Sequence, residues 1–142
     1  MNRATVEAEK NIKIATEAIE QHPFILFSQK KMIYTLDIAH PPLRSDAAEI
    51  MLDESLRKAK NFSLYRVMKI VHGYGSGGKG GTLKTVVKNW VYKNQSNIKF
   101  AIDGEQISPF NPLVQEMCIA CNLQLSKDFG APNKGITIIW VK

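Results

Sequence analysis

Between Ser55 and Ile102 the chain contains neither aspartate nor glutamate, while the same stretch carries ten basic residues: Arg57, Lys58, Lys60, Arg66, Lys69, Lys79, Lys84, Lys88, Lys93 and Lys99. At the overall acidic frequency of the chain about four acids would be expected there. Cysteine is scarce as well. With Cys118 and Cys121 the only two, no disulfide framework can be argued, and a reducing, cytoplasmic setting is the expectation. No apolar run approaches the roughly 20 residues that span a bilayer, and the first residues, MNRATVEAEKNIK, have no apolar core of the signal-peptide kind. These absences exclude a membrane-spanning helix and a disulfide scaffold, and lead to the expectation of a single domain without a membrane partner. At 142 residues with 44% hydrophobic content, the chain can bury an ordinary core.

The net charge of +6 is expected to gather around the segment RVMKIVHGYGSGGKGGTLKTVVK, Arg66 to Lys88. Gly73, Gly75, Gly77, Gly78, Gly80 and Gly81 fill six of nine positions there. A loop of that composition lets backbone N–H groups approach an anion, and a helix start behind it adds positive dipole. His72 stands where the preceding strand ends. A polyanion is the natural ligand of such a segment, with a solvated basic face as the plainer reading.

Periodicity orders the rest. Residues 4 to 20 read as a helix with Ala8, Ile12, Ala15 and Ile19 on one stripe. Met32 to Ala39 reads as a strand that ends before Pro41-Pro42. Asp46 and Glu49 suggest a capping-box start for a helix to about Lys60, with Ala47, Ile50, Met51 and Leu56 available to a core. Leu64 to Val71 alternates without a polar face, as a strand covered on both sides would. Thr82 to Tyr92 predicts a helix with Leu83, Val86, Val87, Trp90 and Val91 inward, and with Lys84 and Lys88 outward on the side of the loop. Ile98 to Ile102 is a third strand, Pro112 to Cys121 a helix, and Gly135 to Val141 a closing strand. The expected fold is α/β, a two-layer sandwich of helices on a small mixed four-stranded sheet in the order β-α-β-α-β-β, with residues 1–31 as an N-terminal helical extension.

Two nucleotide motifs nearly fit the loop. Gly73 to Lys79 satisfies the opening of a P-loop, but Gly80 stands where the Ser or Thr that binds magnesium belongs. Gly73, Gly75 and Gly78 match the dinucleotide pattern, a weak signal alone, with Asp103 late for the ribose acid. The combination of TLDIAH at Thr35 to His40, a helix, a strand ending in VHGYGSGG, a lysine-bearing helix and a final TIIWVK resembles the Smr domain, the small MutS-related module, over residues 32–142. The resemblance implies a fold like the C-terminal domain of a bacterial translation initiation factor. It also implies binding of RNA or DNA, in some members near the ribosome, and endonuclease activity.

Position by position, His72, Gly73, Gly75 and Gly77 match the family's His-Gly-x-Gly-x-Gly loop, and Leu36 and Asp37 match the opening of its Leu-Asp-Leu-His-Gly element. Ala39 and His40 stand where the family has His and Gly. Either His40 is recruited from the end of the strand or the first element is degraded. A stretch longer than the family's usual link, residues 104–134, would contact substrate or cover a sheet edge. Phosphodiester cleavage would need two imidazoles exchanging protons with a 2′-hydroxyl and a leaving oxygen, His72 being the stronger candidate and His40 the second. On DNA an activated water is required, and Asp37 would orient it or hold a divalent cation such as Mg²⁺. Arg44, Gly73, Gly75, Gly77, Gly78, Lys79, Lys84 and Lys88 would hold phosphates, and Tyr74 would stack on a base. Asp37 and His72 can equally be structural, the first orienting its loop and the second supporting the glycines. Cys118 and Cys121 share a helical stripe with Val114 and Met117, which favours packing over zinc. A binding module without catalysis, and an adaptor for an acidic protein, are the competing classes.

Overall fold

The computed structural model describes residues 33–75, 81–125 and 129–142. The expected N-terminal helix and extension lie outside the described residues, as do Gly77, Gly78 and Lys79. Strand β1 (Ile33–Asp37), helix α1 (Ser45–Asn61) and strand β2 (Val67–Val71) form a parallel crossover unit. Helix α2 (Thr82–Lys93) leads to strand β3 (Phe100–Asp103), and helix α3 (Pro112–Cys121) to strand β4 (Ile136–Trp140). The four-stranded mixed sheet has the order β1-β2-β4-β3, with β4 antiparallel to both neighbours. The fold is the expected α/β sandwich of helices packed on a small four-stranded mixed sheet. Among the described residues no helix is long and apolar enough to cross a membrane.

Strand alternation divides the core in two. Met68, Ile70 and Ile139 face α1 and α2, joining Leu52, Leu56, Val87 and Trp90. Val67, Ile136, Ile138 and Trp140 face the other way, onto Val114, Met117, Cys118 and Cys121 of α3. The described part of this stretch, residues 104–125 and 129–134, thus covers the second face of β2 and β4 instead of a sheet edge, and the two cysteines are buried there. The lack of a polar face along β2 is explained by the same cover: apolar residues pack on both of its sides, and Lys69 is its one charged, half-buried member.

Two local expectations for α1 are corrected. The helix starts at Ser45 with Arg44 as an N-cap that makes no side-chain capping bond, so Asp46 lies inside the first turn and accepts from Ala47 N instead of closing a capping box. The buried stripe is Ala48, Leu52, Ser55, Leu56 and Ala59, whereas Ile50 and Met51 are exposed. Small side chains at positions 48, 55 and 59 let the helix settle closely on the sheet, which outweighs the greater bulk of Ile50 and Met51. At the other end of α1, Lys142 Nζ donates to the carbonyls of Ala59, Lys60 and Phe62 at 3.1, 2.9 and 2.9 Å. That ammonium satisfies the terminal carbonyls and opposes the negative end of the helix dipole.

Candidate functional site

Strand register sorts the named residues by end. Asp37 pairs with Val71 and Val71 with Ile136, while Asp103 pairs with Thr137, so the glycine loop, Asp37 and Asp103 share one end of the sheet. Ile33, Val67, Trp140 and Phe100 mark the opposite end. Helices α1 and α2 begin at the glycine-loop end and run back, carrying Arg57, Lys58, Lys60 and Lys93 away from it. Arg66 and Lys99 also stand at the far end, beside Val67 and Phe100. The expectation that the basic charge gathers around the glycine loop is therefore corrected. Parallel strands followed by returning helices put a basic helix C-terminus on the side opposite the loops.

At the loop end, the chain leaves β1 after Asp37 and turns sharply through Ile38 to Leu43, with Leu43 N donating to Ile38 O. Asp37 Oδ1 accepts from Ala39 N at 2.8 Å and His40 N at 3.1 Å, holding this turn. Its Oδ2 lies 2.9 Å from His40 Nδ1. A carboxylate can only accept, so Nδ1 carries the proton and Nε2 presents its lone pair outward on a side chain that is 70% exposed. The Ala39 N–H, and after it the imidazole, hold the Asp37 carboxyl below its usual range. Because β1 has ended, strand alternation no longer sets the direction of His40. The bend delivers it to the carboxylate three residues back.

His72 is placed differently. It is 4% exposed, with Nδ1 3.0 Å from Gly73 O and Nε2 3.0 Å from Thr137 Oγ1. The carbonyl requires a proton on Nδ1, so Nε2 accepts from the threonine hydroxyl and neither nitrogen is left for substrate. Burial pushes this imidazole below its ordinary value and favours the neutral ring. The two histidines thus differ in exposure: His72 is buried and bonded at both nitrogens, whereas His40 is the exposed imidazole.

Around His72 the loop end is tightly built. Gly73 and Gly75 have φ of +76° and +75°. A Cβ on Gly73 would meet that of Ala39 at 3.3 Å, so the residue at position 39 abuts the first glycine. Across the loop, a Cβ on Gly81 would lie 3.2 Å from Gly75 Cα. Tyr74 does not stand free at the tip: its hydroxyl donates to Asn133 Oδ1, which also accepts from Gly135 N. Lys84 is not an outward cation either, since its side chain is 12% exposed and its Nζ lies 3.2 Å from Glu105 Oε1. Lys88 is exposed.

Next to the turn an open groove of about 580 Å³ is lined by Leu43, Arg44, Ser45, Asp46, Thr82 and Leu83. Both helix starts therefore border it, and neither Arg44 nor Gly81 caps its helix through a side chain. Arg44 itself is exposed, with a loose contact to Asp46 at 3.6 Å. Among the described residues no group of three or more His, Cys, Asp or Glu could hold a metal ion. Both oxygens of Asp37 accept hydrogen bonds from the turn and from His40.

Thr137, Asn133 and Glu105 belong to the site and were not singled out from sequence. Thr137 was detectable in principle, as the one hydroxyl in the apolar run ITIIW must find a partner when buried. Asn133 and Glu105 carry no such signal. Comparisons with protein-family models, curated proteins and solved structures find no match to this chain.

Proposed function

We propose that this chain is a nucleic-acid-binding protein of the Smr type that cleaves phosphodiester bonds, with His40 as the general base. The observation that carries this reading is the Asp37–His40 pair: an exposed imidazole, protonated toward a carboxylate and open at Nε2, beside a glycine loop that follows a strand. Such a group accepts a proton from a 2′-hydroxyl or a water, and a carboxylate behind it favours the imidazolium that forms. The groove at Arg44 supports the reading by offering a guanidinium and two helix starts to phosphate oxygens. His72 acts here through its neighbours. It ties the start of the loop to β4 and does not touch substrate.

The test is turnover of single-stranded RNA, structured RNA and supercoiled plasmid by purified protein, with and without chelator. His40→Ala is expected to lower the cleavage rate by about 10²- to 10⁴-fold while substrate binding stays. Wild-type turnover in His40→Ala would sink the assignment. A second reading, a module that binds without cutting, is favoured by the commitment of both His72 nitrogens, and absence of product on every substrate selects it.

A further inference from the structure

The end of the sheet opposite the glycine loop is one-sided in charge. It is formed by residues 55–66, 93–102, 118–125 and 138–142, and these segments contain no Asp or Glu. Arg57, Lys58, Lys60 and Lys99 are exposed there, and none of them pairs with a carboxylate among the described residues. Lys93 differs, lying 3.5 Å from Glu49. Arg66 donates to the main-chain oxygens of Lys142 and Ala120, and Lys142 to three carbonyls at the end of α1. Two cations are thus built into the frame of the surface, while Arg57, Lys58 and Lys60 project from it and Lys99 lies over an aromatic ring.

Aromatic side chains interleave with these cations. Phe100 is 42% exposed, with its ring 6.1 Å from that of Trp140, and Lys99 Nζ lies 4.1 Å from the Trp140 centroid. On the other side Tyr65 packs edge-on against both Tyr34 and Phe62, at 5.4 and 5.9 Å. Of these rings Phe100 is the exposed one, Tyr34, Phe62 and Tyr65 are half-buried and Trp140 is buried. Free cations that follow a backbone and aromatic faces on which bases stack are the two parts of a surface for single-stranded nucleic acid.

We infer that this far end is a second nucleic-acid surface, which holds single-stranded RNA or DNA by its phosphates through Arg57, Lys58, Lys60 and Lys99, with Phe100 as a stacking face. The choice of nucleic acid over other polyanions rests on the proposed function. The location does not, because it follows from register and charge. The surface gives the domain a grip separate from the Asp37–His40 end, so a strand spanning both ends is anchored away from the reactive group.

The full chain is titrated with a fluorescent 20-nucleotide oligouridylate from 0.05 to 0.3 M salt, wild type against the triple variant Lys58→Ala, Lys60→Ala, Lys99→Ala. The expected loss is a drop of about 2 in the slope of log affinity against log salt, and roughly 100-fold in affinity at 0.1 M. The double variant Lys58→Ala, Lys60→Ala, which leaves the Trp140 contact alone, is expected to lose about two thirds of that slope change. Phe100→Ala is expected to weaken binding about tenfold without altering the slope. An unchanged slope in the triple variant overturns the inference. So does a wild-type protein that ignores the oligonucleotide yet binds anionic vesicles or an acidic protein through these lysines. His40→Ala is run in parallel: normal binding with lost cleavage separates the two ends, and far-end binding without any wild-type cleavage removes the endonuclease reading while this one stands.

Discussion

His72 and Thr137 form a buried neutral pair, and their chemistry makes a pH prediction. The imidazole is held below its ordinary value of 6.5, chiefly by burial, so the unfolded chain binds this proton more readily than the folded one. Stability from this site is complete above about pH 6.5 and falls as the pH drops below that toward the folded value. Urea midpoints at pH 7.5 and 5.0 should differ in the wild type, and the gap should shrink in His72→Gln. His72→Ala leaves the Thr137 hydroxyl unpaired inside the core and is expected to destabilise by about 2 kcal/mol. Its cleavage defect should follow the lost fold, whereas that of His40→Ala should appear at unchanged stability. Asp37 runs in the same direction at lower pH. Its carboxyl is held below 3.8, so the turn it ties is expected to loosen only as the pH falls through that range, visible as faster amide exchange at Ala39 and His40.

Ends of elements decide more here than their middles. Lys142 on the α1 carbonyls stands in for a glycine cap, and Lys142→Ala is expected to cost about 1 kcal/mol, read as a shift of the urea midpoint. Asn111 caps α3 through Leu113 N and Val114 N ahead of Pro112, a start legible in the order Asn-Pro. The α1 start was misread because Asp46 and Glu49 have capping-box spacing, yet the turn tied by Asp37 delivers the chain to its N-cap, Arg44, two residues earlier. Gly104 has a reason that no local pattern shows: a Cβ there would collide with the carbonyls of Asn133 and Ile136. Gly104→Ala is therefore expected to destabilise by roughly 3 kcal/mol and to free the 104–134 segment from the loop end, checked by chemical denaturation and by amide exchange at Asn133.

Taken whole, the molecule is one sheet with a dry face on each side, and its two tryptophans divide between them: Trp90 in the α1/α2 cluster, Trp140 in the α3 cluster. Because β2 and β4 contribute to both clusters, the faces should melt together. Single-tryptophan variants, Trp90→Phe and Trp140→Phe, are expected to report one common denaturant midpoint each for fluorescence and circular dichroism. Divergent midpoints would show that the α3 face is a separate unit. Strand and helix order, the lack of a polar face along β2, the cysteine stripe on α3 and the glycine turn were legible along the chain, since each rests on periodicity or on backbone freedom that neighbours in sequence express. Three things were not. Which histidine is open depends on Thr137, 65 residues from His72, accepting its place inside β4. Whether Lys84 is free depends on Glu105 across the loop end. Where the basic residues lie depends on helices that reverse direction between parallel strands, which carries charges adjacent in sequence to the far end of the sheet. Composition and pattern are local sums and survive folding, whereas exposure, pairing and the distribution of charge exist only once distant segments share a surface.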